Sequence, residues 1–370
     1  MHKKIYSILS ISIFLFLIGC SDNETTNVQY QGNREKIKIK IGSKQTEVSL
    51  NYGVSPQKER ERSWKESNVI SQFSIGSLDD TTLYLPTDLK VDKDGNIYIL
   101  DMAGKFVKKF DAKGKQLEKY GRKGRGPGEF QSPFRIDVSE TGKLIVLDIN
   151  QGKCEIFDKN KSQRINVLNQ PTGVSFVTEE DFVILQILNP LDMSAIQKYN
   201  LEGVSVDYEN VLLPSSFDNI TVAMLPFVDG SIINYKNELC YVPRFMNHFV
   251  LYDKNGKIKY ARETMDEIAL PTYEREGFDV VNLRYPKEQI SILGASISDG
   301  KLFLVSNKAS KKNNEKINYV IDVYSIMAGD YLYSFKYKRN KVVSRFLISE
   351  NKIYLINHLA VVEVLNYELE

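Results

Sequence analysis

The chain has 370 residues, 26% charged and 42% hydrophobic, with a formal net charge of +2. This composition excludes a disordered or low-complexity chain, and so small a charge singles out no polyanionic partner such as nucleic acid. Tyr (21) and Phe (18) are abundant while Trp occurs once, a ring content that suits strands.

An export signal stands first. Lys3 and Lys4 precede a mostly apolar run of 14 residues, Ile5 to Ile18, too short to span a bilayer comfortably as a helix. The run ends in Leu17-Ile18-Gly19-Cys20, which resembles a lipobox. That resemblance implies cleavage before Cys20, acylation of Cys20, and a mature protein held on the membrane by lipid chains without a transmembrane helix. Ser21-Asp22-Asn23-Glu24 has two open readings. One is a polar linker; the other is a tag similar to those that send Gram-negative lipoproteins to the outer face of the outer membrane.

Residues 20–67 read as a tether with an accessory strand, because Lys36-Ile37-Lys38-Ile39-Lys40-Ile41 alternates at period two. The charge run Glu59 to Arg62 reads as a solvated segment.

Repeats begin after that. Asp88 to Asp101 matches Arg135 to Asp148: Gly95 and Gly142 lie 47 positions apart, as do Asp101 and Asp148. Phe110-Asp111 and Phe157-Asp158 share the same offset of 47. A period of this size marks a stacked or circular repeat. Each unit reads as four strands. In the first, Leu89 to Val91 turns at Asp94-Gly95 into the apolar Ile97 to Leu100. Phe106 to Phe110 follows, then a fourth strand ending near Tyr120-Gly121. A four-stranded sheet per repeat is a propeller blade.

Degenerate units follow. Phe182 to Leu185 and Ile196 to Leu201 mark a third; Asp229-Gly230-Ser231-Ile232-Ile233 and Phe249 to Gly256 a fourth. Asp299 to Val305 and Tyr319 to Tyr324 mark a fifth; Asn351 to Ile356 and Val361 to Leu365 a sixth. The sixth stops at Glu370 without room for an outer strand, whereas Asn68 to Ile75 forms a strand with no blade of its own. Pairing the two would close the ring and remove free sheet edges. The predicted fold is all-β: a six-bladed propeller of four-stranded antiparallel blades over 68–370, after a signal peptide at 1–19.

The stretch Gly121-Arg122-Lys123-Gly124-Arg125-Gly126-Pro127-Gly128-Glu129-Phe130, followed by Pro133, resembles NHL-type repeats. The chain is similar to six-bladed β-propeller lipoproteins of Gram-negative bacteria, of NHL or TolB-like type. The match is good over 86–165 and architectural beyond. It implies an exported protein on a lipid anchor in the outer membrane, at the cell surface or facing the periplasm.

Few residues point to chemistry. The Gly121 to Phe130 loop lacks the Gly-Lys-Ser/Thr ending of a phosphate-binding loop and leads into a strand, so its glycines serve chain passage between blades. Residues 102–125 hold nine Lys/Arg against Asp111 and Glu118. This basic stripe reads as a solvated face, with an anionic glycan or lipid headgroup as the alternative. Asp92 to Asn96 and Asp253 to Gly256 echo calcium loops but lack the distal Glu, so they read as turns. Asp101 and Asp148 read as caps for backbone N–H groups. With His248 and His358 alone after the signal, a three-His zinc site is excluded; no Gly-x-Ser-x-Gly elbow occurs. Cys154 and Cys240 fall two blades apart and read as buried free thiols.

The interval from Asp229-Gly230 to Asp299-Gly300 is 70 positions, so residues 262–292 are an insertion. Its Tyr273, Arg275, Phe278, Arg284 and Tyr285 are the candidate ligand contacts, since aromatic and Arg side chains on a long loop suit carbohydrate or protein recognition. The expected function is a membrane-anchored binding or scaffold protein for a glycan, peptide or protein, with no cofactor. The alternative is a lactonase-like hydrolase or lyase with a metal in the central channel, which requires Asp, Glu, Asn or His side chains converging at the ring axis.

Overall fold

The computed structural model describes residues 36–41, 44–50, 52–77, 80–159, 161–167, 171–186, 195–206, 208, 229–267, 272–275, 292–313, 316–340 and 342–370. Among them the regular elements are strands, and no helix is long and apolar enough to cross a membrane.

Six sheets carry the fold; the four blade strands of each are antiparallel and follow the chain from inner to outer, except that the outer strand of the sixth comes from the N-terminal side. Blade 1 is Pro86–Val91, Ile97–Asp101, Phe106–Phe110 and Gln116–Tyr120. Blade 2 is Pro133–Val138, Leu144–Asp148, Lys153–Asp158 and Lys161–Asn166. Blade 3 runs from Pro171–Phe176 through Asp181–Gln186 and Ile196–Asn200 to the short Ser205–Val206. Blade 4 is Gly230–Tyr235, Glu238–Pro243, His248–Tyr252 and Ile258–Glu263. Blade 5 is Ile292–Ser298, Lys301–Asn313, Lys316–Ser325 and Tyr331–Arg339. Blade 6 is Val343–Ser349, Lys352–Asn357 and Val362–Leu369, completed by Ser67–Ile75. That last strand pairs antiparallel with Val362–Leu369, from Ser67 opposite Leu369 to Ile75 opposite Val362, so early chain seals late chain.

Each inner strand contacts the inner strand of the next blade, and the sixth returns to the first. Six hydrophobic clusters match the six junctions. Ile97, Ile99, Tyr354 and Ile356 join blades 1 and 6, whereas Tyr98, Leu100, Leu144 and Val146 join blades 1 and 2. Successive residues of one strand therefore serve two neighbours. This explains the uninterrupted apolar runs Ile97 to Leu100 and Leu144 to Leu147: both faces of the second strand are covered, and all five residues of Ile97–Asp101 and of Leu144–Asp148 are buried.

The fourth blade is phased differently from its sequence reading. Asp229-Gly230, set against Asp299-Gly300 in the 70-residue spacing, does not share the latter's place at the first hairpin; Gly230 opens the inner strand. The turn falls at Lys236 and Asn237, both in left-handed backbone (φ 52° and 66°), so two non-glycine residues do the work that Gly95 does in blade 1.

The glycine-rich loop is a latch between blades 1 and 2. Gly121 has φ 80°, and a Cβ there would collide with the Phe130 ring. Glu129 accepts from the Gly126 N–H (2.8 Å) and Arg122 Nε (2.9 Å), and Glu155 accepts from the Gly128 N–H (2.6 Å). Buried Lys153 links Glu155 (2.8 Å) to the Glu129 carbonyl (2.6 Å). Chain passage, rather than phosphate binding, is the role these bonds serve.

Leu50 and residues 52–65 lie over blades 3 to 5. Leu50, Tyr52 and Val54 enter the cluster between blades 3 and 4. Gln57 donates to the carbonyls of Glu263 (2.7 Å) and Gly329 (2.9 Å) and accepts from the Tyr331 N–H. The charge run is only partly solvated. Glu59, Arg60 and Glu61 are exposed, but Arg62 donates to both oxygens of Asp322 (2.8 Å each) and to Asp266 (2.6 Å). Beyond it, Trp64–Lys65 adds a parallel strand to the outer edge of blade 5. Lys36–Ile41 pairs with Lys44–Ser49 and, in parallel, with Thr272–Arg275.

Candidate functional site

Inner strands are sheet edges, so their outward N–H groups need partners. The ring supplies them by one repeated device. Asp88 of blade 1 accepts from the Ile136 N–H of blade 2 (3.1 Å), and Asp137 of blade 2 accepts from the Phe176 N–H of blade 3 (2.8 Å). Ser296 and Ser298 of blade 5 accept from Ile348 (3.0 Å) and Glu350 (2.7 Å) of blade 6. In each case a side chain reaches the N–H one step further along the next blade.

What remains lines a cavity of about 410 Å³ along the ring axis. Its walls run from Asp88, Arg135, Gly173 and Arg345 at one end to Asp92, Glu140, Glu179 and Asp299 by the hairpins at the other. Five of the six inner strands carry a register shift near their start, including those just before Asp88, Arg135 and Arg345. A bulge re-aims the following side chain, here onto one level of the channel.

Arg345 ion-pairs with Asp88 (2.7 Å), and Lys90 with Asp137 (2.8 Å). Asp88 and Asp137 are thus each held by a backbone N–H of the next blade and a cation. Among the described residues no three His, Cys, Asp or Glu side chains are grouped so as to hold a metal ion. The convergence of acids that a lactonase-like or lyase-like centre requires is not what Asp88 and Asp137 form.

Arg135 differs from its neighbours. It occupies the position equivalent to Asp88, 47 residues on, but as a cation it cannot accept a backbone proton. Its guanidinium stacks 3.9 Å over the Phe134 ring and donates to the Phe134 carbonyl (3.0 Å). Burial, then the nearby Arg345, push it down to about 10, so it is charged at neutral pH.

The other sequence candidates fall elsewhere. Tyr273 and Arg275 lie on Thr272–Arg275, opposite Ile39 and Ile41. Cys20, Phe278, Arg284 and Tyr285 lie outside the described residues. Asp101 caps Tyr84, Leu85 and Gly104, and Asp148 caps Gln131, Ser132 and Gln151. The calcium-like segments are turns: Asp92 accepts from Asp94 and Asn96, and Asp253 from Asn255 and Lys257. His248 is buried against the Tyr52 hydroxyl (2.8 Å). Arg135 and Arg345 were missed as site residues, although the Asp88-to-Arg135 change within an otherwise matched repeat was the available signal.

Residues 79–181 match the model of a family described as 6-bladed beta-propeller. This chain is a six-bladed β-propeller. It is 25% identical over 120 residues to human NHL repeat-containing protein 3, covering 30% of this chain and 35% of that one. The matched part of this chain thus spans about a third of that relative's length. It resembles the structure of a putative exported protein from Bacteroides fragilis with a TM-score of 0.56 and 12% identity, over 85% of this chain and 98% of that one. It also resembles a member of the DUF4221 family from Bacteroides vulgatus, with a TM-score of 0.52 and 11% identity over 82% and 99% of the two chains. These likenesses concern the fold.

Proposed function

We propose that this propeller is an exported, lipid-anchored binding module of a Gram-negative outer membrane. On this reading it presents its disc at the cell surface or to the periplasm and holds a glycan, peptide or protein. The anchoring half rests on Leu17-Ile18-Gly19-Cys20, and the fold resembles that of a putative exported protein of Bacteroides fragilis. The binding half rests on one observation. The inner-strand carboxylates Asp88 and Asp137 are taken up in blade-to-blade caps and ion pairs, while a polar, cation-bearing concavity of ligand size is left open.

The insertion supplies a second contact region. The outer strand of blade 4 ends at Glu263 and the inner strand of blade 5 starts at Ile292, so both strand ends flank it at one face of the disc. Tyr273, Arg275, Phe278, Arg284 and Tyr285 are the proposed contacts there.

A glycan and peptide screen on the protein as processed by the cell tests the reading. Ligand capture is expected, weakened by the combined substitutions Tyr273→Ala, Arg275→Ala and Arg284→Ala. Unchanged affinity would remove the insertion from the site, and no capture from either library would remove the binding role. Mass analysis of the mature N-terminus is expected to find an acylated Cys20. An unmodified Cys20 sinks the anchor.

A further inference from the structure

Among the described residues, Arg135 carries a charge that neither the fold nor the caps account for. Among the described residues no carboxylate lies within ion-pair distance of it, and its one protein acceptor is the carbonyl of its own neighbour, Phe134. The guanidiniums near it are matched: Arg345, on the same cavity wall, with Asp88 (2.7 Å), and Arg244, outside the cavity lining, with Asp229 (3.2 Å). Three guanidiniums thus stand with two carboxylates, and the surplus positive charge is on Arg135.

Two features preorganise that charge. The bulge between Pro133 and Arg135 turns the side chain onto the channel, and a cation–π contact with the Phe134 ring, 3.9 Å from the guanidinium carbon, holds the group there. A planar fork held in place with unspent donors matches a carboxylate through two parallel hydrogen bonds. A net charge of one at this level suits a monoanion, because a phosphate dianion would leave uncompensated negative charge in a partly desolvated site. Gly173 and Gly294 stand at the equivalent positions of blades 3 and 5 and bring no side chain to the same level.

We propose that Arg135, with Arg345 behind it, forms an anion site at the end of the channel away from the hairpins, and that it takes a carboxylate entering along the axis. The inference rests on the binding-module reading and adds the ligand's chemical class. The carboxylate has two sources of the same chemistry, an acidic sugar or a peptide C-terminus.

Calorimetric titration of the processed protein decides between outcomes. The probes are D-glucuronate, its methyl ester, the dipeptide Ala-Ala and inorganic phosphate, each at millimolar concentration. Glucuronate or the dipeptide is expected to bind, and whichever binds names the source. Arg135→Gln should weaken that binding by about tenfold or more, with Arg135→Lys intermediate because a point charge replaces a fork. Esterification should abolish glucuronate binding to the unaltered protein, a readout that does not depend on any variant folding. Equal binding of glucuronate and its ester, equal binding by Arg135→Gln, or tighter binding of phosphate than of either carboxylate would overturn the proposal. So would no binding of either carboxylate. A screened glycan or peptide that binds the unaltered protein and Arg135→Gln equally would leave the module standing and remove this site alone.

Discussion

Single residues in this propeller divide by what they compensate. Arg62 is 17% exposed at its side chain and bonds Asp322 and Asp266, each 2% exposed. Removing the guanidinium would strand two buried carboxylates, so Arg62→Ala is expected to destabilise the fold by about 3 kcal/mol or more. Chemical denaturation measures it, and a loss within error of zero would show the pair to be dispensable. Glu129 is the opposite kind of acid, a loop carboxylate. Hydrogen bonds from the Gly126 N–H and from Arg122 hold it below the ordinary glutamate value. Its contribution is therefore present above the ordinary value and is lost as pH falls through the depressed one. The Gly126 amide signal should titrate at a pH below that of an unperturbed glutamate, and Glu129→Gln should abolish the titration. Cys154 and Cys240 are free and fully buried, and burial pushes both thiols up. They are expected to be inert to a thiol reagent in the native protein and to react together on unfolding.

Strands in this fold are specified by which neighbours they touch. Ile99 is fully buried in the junction between blades 1 and 6. Ile99→Ala should cost about 3 kcal/mol, read from the same denaturation curve, because packed blades on both sides leave little room for the cavity to collapse. The apolar runs and the Asp94-Gly95 turn could be recognised along the chain because each reflects a local requirement, burial on two faces or a left-handed residue. Blade 4 was phased wrongly because a Gly next to Asp is only one way to make such a turn. Lys236 and Asn237 meet the geometry without the usual residues. The partial burial of the Glu59 to Arg62 run was hidden for another reason. Charge alone does not reveal that Asp322 and Asp266, 260 and 204 residues away, converge on Arg62.

At the scale of the whole molecule, closure is the controlling feature. Ser67–Ile75 covers the edge of Val362–Leu369 and places residues about 300 positions apart in one sheet. A chain beginning at Ser67 loses the belt over blades 3 to 5 but keeps the seal, and is expected to melt cooperatively at a reduced temperature. One beginning at Gly76 also exposes a sheet edge and is expected to lose the cooperative transition and self-associate. Scanning calorimetry and light scattering separate the two. If both melt alike, the seal carries no stability.

Periodicity along the chain was enough to assign the propeller, its six blades and its sealing strand. Strand length, turn chemistry and a 47-residue offset are properties of neighbouring residues. The channel was beyond such reading. Asp88, Arg135 and Arg345 become neighbours only when the first and last blades meet, and whether a charge there is spent or surplus depends on partners from other blades.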